Sequence, residues 1–140
     1  METANKPLER NAGELGYSFS EGPMNIIVNA ELKGIKDALI KGMLDYRADG
    51  SASYTKADVE ECRRLLDRHL VALAGTRDRN SASECVKATV VKLNLLNEKA
   101  GYELIETDQR EDICKYIIKA GALLGFNGPG EDVTEEWRDW

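Results

Sequence analysis

The feature that most constrains the fold is an apolar stripe at helical spacing, which recurs in four separate segments. In the first segment, residues 30–47, large apolar side chains recur every three or four positions, and Val28 precedes them in the same register. The members of this stripe are Val28, Leu32, Ile35, Leu39, Met43 and Tyr46. This spacing places them on one face of an α-helix. The same spacing recurs at residues 56–74, 83–100 and 108–124. Four amphipathic helices in a chain of 140 residues predict an all-α fold, a four-helix bundle-like single domain.

Residues that favour helix ends lie at the borders of these segments. Asn29 and Thr55 precede the first two helices, and Asn80 with Ser81 precedes the third. Their side-chain oxygens can accept hydrogen bonds from the free N–H groups of a first turn. Glycines, which end helices, follow the last three segments at Gly75, Gly101 and Gly125. We also expect a broad buried face on the third helix, because Leu95 lies beside its apolar stripe.

The remaining segments predict less regular structure. Residues 1–23 combine glycine and proline with few large apolar side chains, so we expect a flexible N-terminal arm before a single helical domain over 24–140. Residues 102–106 are too few for a helix and predict a short strand or a packed loop. Thr134 is placed to cap a last short helix over residues 135–139.

The negative charge is concentrated in the last third of the chain. The formal net charge is -6, and residues 97–140 account for all of it with eleven acidic and five basic side chains. A surface of this sign repels nucleic acid and anionic lipid and favours a basic protein partner. The alternative is that the charge serves solubility alone.

The cysteines and the single histidine do not form a recognisable site. Cys62, Cys85 and Cys114 are widely spaced, which argues against a disulfide framework and for a reducing compartment. No apolar run approaches the roughly 20 residues of a membrane span, and no signal peptide is evident, so we expect a cytoplasmic protein. Cys62 and His69 share a helix face but are about 10 Å apart, too far for a direct thiol–imidazole pair. Cys85 or Cys114 could approach His69 from another helix, but nothing in the sequence requires it. We therefore predict no metal, no cofactor and no catalytic residue, and interpret the cysteines as buried apolar side chains.

Paired acids provide the one pattern that suggests catalysis. Glu103 and Glu106 precede Asp108 and Glu111 at three-residue spacing, and an acidic cluster, Glu135, Glu136 and Asp139, follows near the end of the chain. Such pairs on facing helices can hold Mg²⁺ against a phosphate group. The pattern resembles the all-helical, magnesium-dependent nucleotide pyrophosphatases of the MazG type, and the resemblance implies a magnesium-dependent nucleotide phosphohydrolase as the alternative function. Acids in a first turn also stabilise a helix through its dipole, without any metal.

The interpretation we prefer is an acidic helical interaction protein, such as an inhibitor, an immunity-type protein or an adaptor. Trp137 and Trp140 share one face of the expected last helix with Val133. We expect this face to dock on the bundle, and the alternative is an exposed anchor for a partner. The candidate partner-binding residues are acids of the last third together with both tryptophans: Glu103, Glu106, Asp108, Glu111, Asp112, Glu135, Glu136, Trp137 and Trp140.

Overall fold

The structure is a computed structural model that describes residues 23–50 and 52–140, and within them the expected all-helical fold is confirmed. A 3₁₀-helix, Pro23–Val28, leads into four α-helices. These are α1 (Ala30–Ala48), α2 (Lys56–Ala74), α3 (Arg79–Lys99) and α4 (Thr107–Leu123). The expected flexible arm lies outside the described residues except for Pro23, which begins the 3₁₀-helix.

The helices pack as two antiparallel pairs, α1 with α4 and α2 with α3. In the first pair Glu31 contacts Lys119 at 3.1 Å, and Gly42 lies beside Gln109 at the other end. In the second pair Lys99 contacts Asp58 at 2.9 Å. The pairs are joined across the core, where the buried Tyr116 hydroxyl of α4 donates to the α2 backbone at 3.3 Å.

Helix starts follow the capping chemistry of the sequence, with one correction. The Asn29 side chain accepts from the Leu32 N–H, and Thr55 and Asp58 form the reciprocal bonds of a capping box.

The third helix begins at Arg79, earlier than expected from Asn80. The reason is that Asp78 accepts from the Ser81 N–H at 2.8 Å, so an aspartate just upstream caps the helix instead.

The apolar stripes form the core, with four differences from expectation. Val28 is 77% exposed and Tyr46 is 39% exposed, although both continue the stripe of α1. Leu95 is 61% exposed, so the expectation of a broad buried face on α3 was wrong. Among the helices, α3 packs mainly on α2, which covers the apolar stripe of α3 but leaves Leu95 exposed. Conversely, Tyr116 is buried although the stripe expected for α4 was Ile113, Ile117, Ala120 and Leu124.

Residues 102–106 form a packed loop. The buried Asn97 holds this loop, because its side-chain oxygen accepts from the Ile105 N–H at 2.9 Å and its carbonyl accepts from the Tyr102 N–H at 2.8 Å. Leu104 and Ile105 are buried in the core. The loop therefore has a fixed position against the end of α3.

The C-terminal tail, residues 126–140, docks on the bundle but does not form the expected helix. Hydrogen-bonded turns span residues 133–137 instead. The buried Thr134 hydroxyl donates to Asp132 at 2.6 Å and lies 3.3 Å from the Cys114 thiol, so the cap residue points into the protein. In a segment this short, the helical hydrogen bonds contribute too little free energy to offset the cost of helix nucleation. Three tail side chains pack against the core and are partly buried: Val133, Trp137 and Trp140.

Within the described ranges, no helix combines the length and the apolar character needed to cross a membrane.

Candidate functional site

A cleft of about 340 Å³ lies where the 102–106 loop meets the start of α4. Its walls carry two tyrosines and three acids, and we call it the acidic cleft: Tyr46, Tyr54, Glu103, Glu106, Thr107, Asp108 and Gln109. The two tyrosine rings are stacked, with centroids 6.3 Å apart and planes inclined by 19°. The cleft thus combines an aromatic wall with negative charge.

The tyrosine wall is held rigidly by the core. Tyr54 is buried, and its hydroxyl donates to the Met43 carbonyl at 2.6 Å. Burial, reinforced by the nearby Tyr46, Glu103 and Glu106, raises the pKa of the Tyr54 hydroxyl. Tyr46 keeps an exposed part of its ring on the cleft side of this pair.

The acids of the cleft differ in how firmly they are positioned. The Glu103 carboxylate accepts from the Ser53 N–H at 3.0 Å, and the Ser53 hydroxyl donates to the Ala100 carbonyl at 2.6 Å. These bonds attach the loop to the chain that enters α2. Glu106 is the residue before α4, and its N–H donates to the Gln109 side chain at 3.1 Å. Asp108 is exposed in the first turn of that helix.

Residues 23–96 and residues 97–140 differ in the share of their acidic side chains that form ion pairs. Of the ten acids between residues 23 and 96, seven lie within ion-pair distance of a basic side chain: Glu31, Asp37, Asp45, Asp58, Glu60, Glu61 and Asp67. Of the eleven acids in residues 97–140, only Glu131 and Asp132 have such a partner in the described structure. The excess negative charge is therefore carried mostly by carboxylates that have no ion-pair partner among the described residues.

The candidate partner-binding residues do not form one continuous site. Glu103, Glu106 and Asp108 meet in the acidic cleft. Glu111 and Asp112 follow on α4, and burial, helped by Asp108 and Glu111, raises the pKa of the Asp112 carboxyl. The other candidates belong to the docked tail, where the glutamates are exposed and the tryptophans half-buried: Glu135, Glu136, Trp137 and Trp140.

Sequence reasoning missed both tyrosines of the cleft. Tyr46 continues the apolar stripe of α1 and was expected to be buried, whereas it is partly exposed at the end of that stripe. Tyr54 lies in the short connection between α1 and α2, where no periodic pattern identifies a core residue. An aromatic side chain directly before a helix cap was the one available signal.

A cysteine does approach the histidine, but the pair is uncharged. The Cys85 thiol lies 3.6 Å from the buried His69 Nδ1, which also contacts the Thr89 hydroxyl at 2.8 Å. Burial lowers the pKa of His69 to about 4 and raises the pKa of the Cys85 thiol. An activated nucleophile needs the opposite shift on the thiol. Burial likewise raises the pKa of the other two thiols, that of Cys62 to about 12.

The possible metal ligands of residues 23–50 and 52–140 are dispersed. No three histidine, cysteine, aspartate or glutamate side chains in these ranges are grouped so that they could hold an ion. Magnesium can also be bound by one or two carboxylates together with a substrate phosphate, so the magnesium-dependent alternative stays a prediction.

The sequence matches no protein-family model, and neither a curated protein nor a solved structure matches it.

Proposed function

We propose that this chain is a small non-catalytic interaction protein that binds a basic protein partner, and that the acidic cleft receives an arginine or lysine side chain of that partner. The observation that carries the proposal is the meeting of Glu103, Glu106 and Asp108 beside the stacked tyrosines. Neither Glu106 nor Asp108 has an ion-pair partner among the described residues. A basic partner would supply the missing counter-charge.

The chemistry of the cleft suits a guanidinium group. A guanidinium donates two parallel hydrogen bonds to a carboxylate and stacks on aromatic rings. Tyr46 offers such a ring face, and a cation on an exposed ring gains about 0.5–1 kcal/mol. Glu106 and Asp108 would accept the hydrogen bonds, and each charge-assisted bond is stronger than a neutral one.

The cleft is also organised before any partner binds. Glu103 is fixed by the Ser53 N–H, and the loop that carries it is fixed by Asn97. A surface that is already ordered loses little conformational entropy on binding. The surrounding unpaired acids on α4 would speed the approach of a basic protein at low ionic strength.

A cytoplasmic location belongs to the same proposal. All three cysteines are free thiols. Thiols in this state are typical of a reducing compartment.

A labelled peptide of alternating glycine and arginine provides a direct test of the cleft. We expect saturable binding, with NMR shift changes centred on residues 103–109 and Tyr46. The double variant Glu106→Gln/Asp108→Asn should weaken binding about tenfold or more, because it removes both unpaired charges while keeping similar shapes.

The matched control is Glu60→Gln/Glu84→Gln, which removes two exposed charges from the neutral part of the chain. It should leave the affinity nearly unchanged. Equal loss in both double variants would show that only net charge matters, and shift changes away from the cleft would show that the site is elsewhere. Either result would refute the proposal.

A further inference from the structure

A second cavity, of about 230 Å³, lies between the bundle and the docked tail. Its inner wall comes from three helices and the segment after α4. One part of this wall is apolar, with Leu73, Val86 and Phe126, and Ser83 and Asn127 add polar groups beside it. The tail closes the other side with Val133 and Trp137. The acidic cleft shares none of these residues, so the two features are separate.

The size of this cavity fits one small aromatic ring with a short chain. An apolar protein cavity of about 150 Å³ is large enough to bind benzene. The additional volume here accommodates a few further atoms. The indole of Trp137 provides an aromatic surface against which a ring or an alkylammonium group can pack.

The charges around the opening leave one carboxylate uncompensated. Arg79 forms an ion pair with Glu131, and Arg138 forms one with Asp132 at 3.2 Å. A hydrogen bond from the Gly128 N–H, together with Arg79, lowers the pKa of Glu131. Glu136 also lines the cavity, and in the described structure it makes no hydrogen bond or ion pair. The net charge presented to a ligand is therefore negative.

We infer that this cavity binds a small organic cation of the arylalkylamine class, with the ring against the apolar wall and Trp137 and the ammonium group at Glu136. The apolar body of such a ligand matches the apolar part of the inner wall. Its single positive charge matches the one carboxylate that lacks a partner. The tail would be held more firmly by the bound amine, since it contributes both Trp137 and Glu136 to the site.

Titration with 2-phenylethylamine tests the inference on the whole chain. We expect saturable binding with a change in tryptophan emission and a rise in the melting temperature, because a ligand that binds only the folded state stabilises it. Phenylacetate has the same ring with a negative charge, and 2-phenylethanol has it with no charge. Both should bind at least tenfold more weakly than the amine.

Two neighbouring glutamates give a matched pair of variants. Glu136→Gln should weaken amine binding about tenfold, and Glu135→Gln, one residue away and outside the cavity lining, should not. Both side chains are exposed, so neither change threatens folding. Three results would overturn the inference: no binding of the amine at its solubility limit, equal binding of phenylacetate, or equal effects of the two variants. The cleft variant Glu106→Gln/Asp108→Asn should bind the amine normally, which separates this test from that of the proposed function.

Discussion

The imidazole of His69 lies inside the bundle, where its Nδ1 contacts the Thr89 hydroxyl and its Nε2 has no partner. Burial lowers its pKa from 6.5 to about 4. The ring is therefore neutral in the folded protein at pH values where it is already protonated in the unfolded chain. Folding excludes a proton that the unfolded chain binds, so acid favours unfolding through this one residue.

We expect the free energy of unfolding to fall by on the order of 3 kcal/mol as the pH drops from about 6.5 to about 4. Urea unfolding at several pH values in this window would measure the slope. The variant His69→Leu should lack most of this slope, because leucine binds no proton. The charged neighbours Arg68, Glu84 and Lys92 line the opening above His69 and are the same in both proteins. Parallel pH profiles for the two proteins would contradict the expectation.

Two helical glycines offer a contrast in the space around them. A Cβ at Gly121 would lie 1.9 Å from Oδ1 of Asn127, whereas a Cβ at Gly34 would meet nothing within 4 Å. The Asn127 amide is held in place, since it donates to the Ile118 carbonyl at 3.1 Å and to the Gly128 carbonyl at 2.9 Å. Only glycine therefore fits at position 121 without displacing the start of the tail.

The substitution Gly121→Ala should lower the free energy of unfolding by about 1–3 kcal/mol, the usual cost of overpacking. The control Gly34→Ala should raise it by up to about 1 kcal/mol, because alanine favours a helix more than glycine does. Urea denaturation of both variants measures the difference. Equal stability changes in the two would show that Asn127 moves aside without cost.

At the scale of elements, the C-terminal tail is held in place by its contacts with the helical bundle. Asn94 of α3 holds it at two points, donating to the Trp137 carbonyl at 2.8 Å and accepting from the Asp139 N–H at 3.2 Å. We expect deletion of residues 131–140 to lower the melting temperature by several degrees, since the partly buried side chains leave the core. The variant Asn94→Ala should lower it less.

Tryptophan emission reports the same docking without any deletion. Docked indoles should emit at shorter wavelength than free tryptophan and should be shielded from iodide. Asn94→Ala should shift the emission toward that of free tryptophan. Emission of the unaltered protein that is already like free tryptophan, with full quenching by iodide, would mean that the tail is loose in solution.

The sequence predicted helices well where one capping residue and one stop residue bordered a segment. The bounds of α2 match expectation because Thr55 caps its start and Gly75 ends it, as the sequence indicated. The start of α3 was misplaced because Asn80 with Ser81 suggested a later cap, whereas Asp78 and Ser81 form a local capping box. The tail helix was expected from Thr134, whose side chain instead turns inward toward Cys114. That choice depends on a contact between distant residues, which local patterns do not contain.

The candidate site was predictable in charge but not in shape. The excess of acids in the last third indicated Glu106 and Asp108 directly. Their meeting with Tyr46 depends on the contact between Ser53 and Glu103, which joins parts of the chain 50 residues apart. No spacing rule within one helix predicts such a contact.

At the scale of the whole molecule, the acidic side chains divide into two groups by their ion pairing. Most acids of the first three helices pair with bases of the same surface, as Glu60 does with Arg63. Exposed pairs of this kind contribute little stability each. The acids of the last third are mostly unpaired, so they repel one another and extend their field into solvent. Under the proposed function, this field would attract a positively charged partner.

The antiparallel pairing of the first helix with the last also has a kinetic consequence. The connection between α2 and α3 spans residues 75–78, whereas α1 and α4 are separated by residues 49–106. Closing the longer loop in an unstructured chain costs about 2 kcal/mol more in entropy. If α2 and α3 assemble first, they shorten that loop before α1 and α4 meet. We therefore expect assembly to begin in the middle of the chain and to end by joining its outer helices.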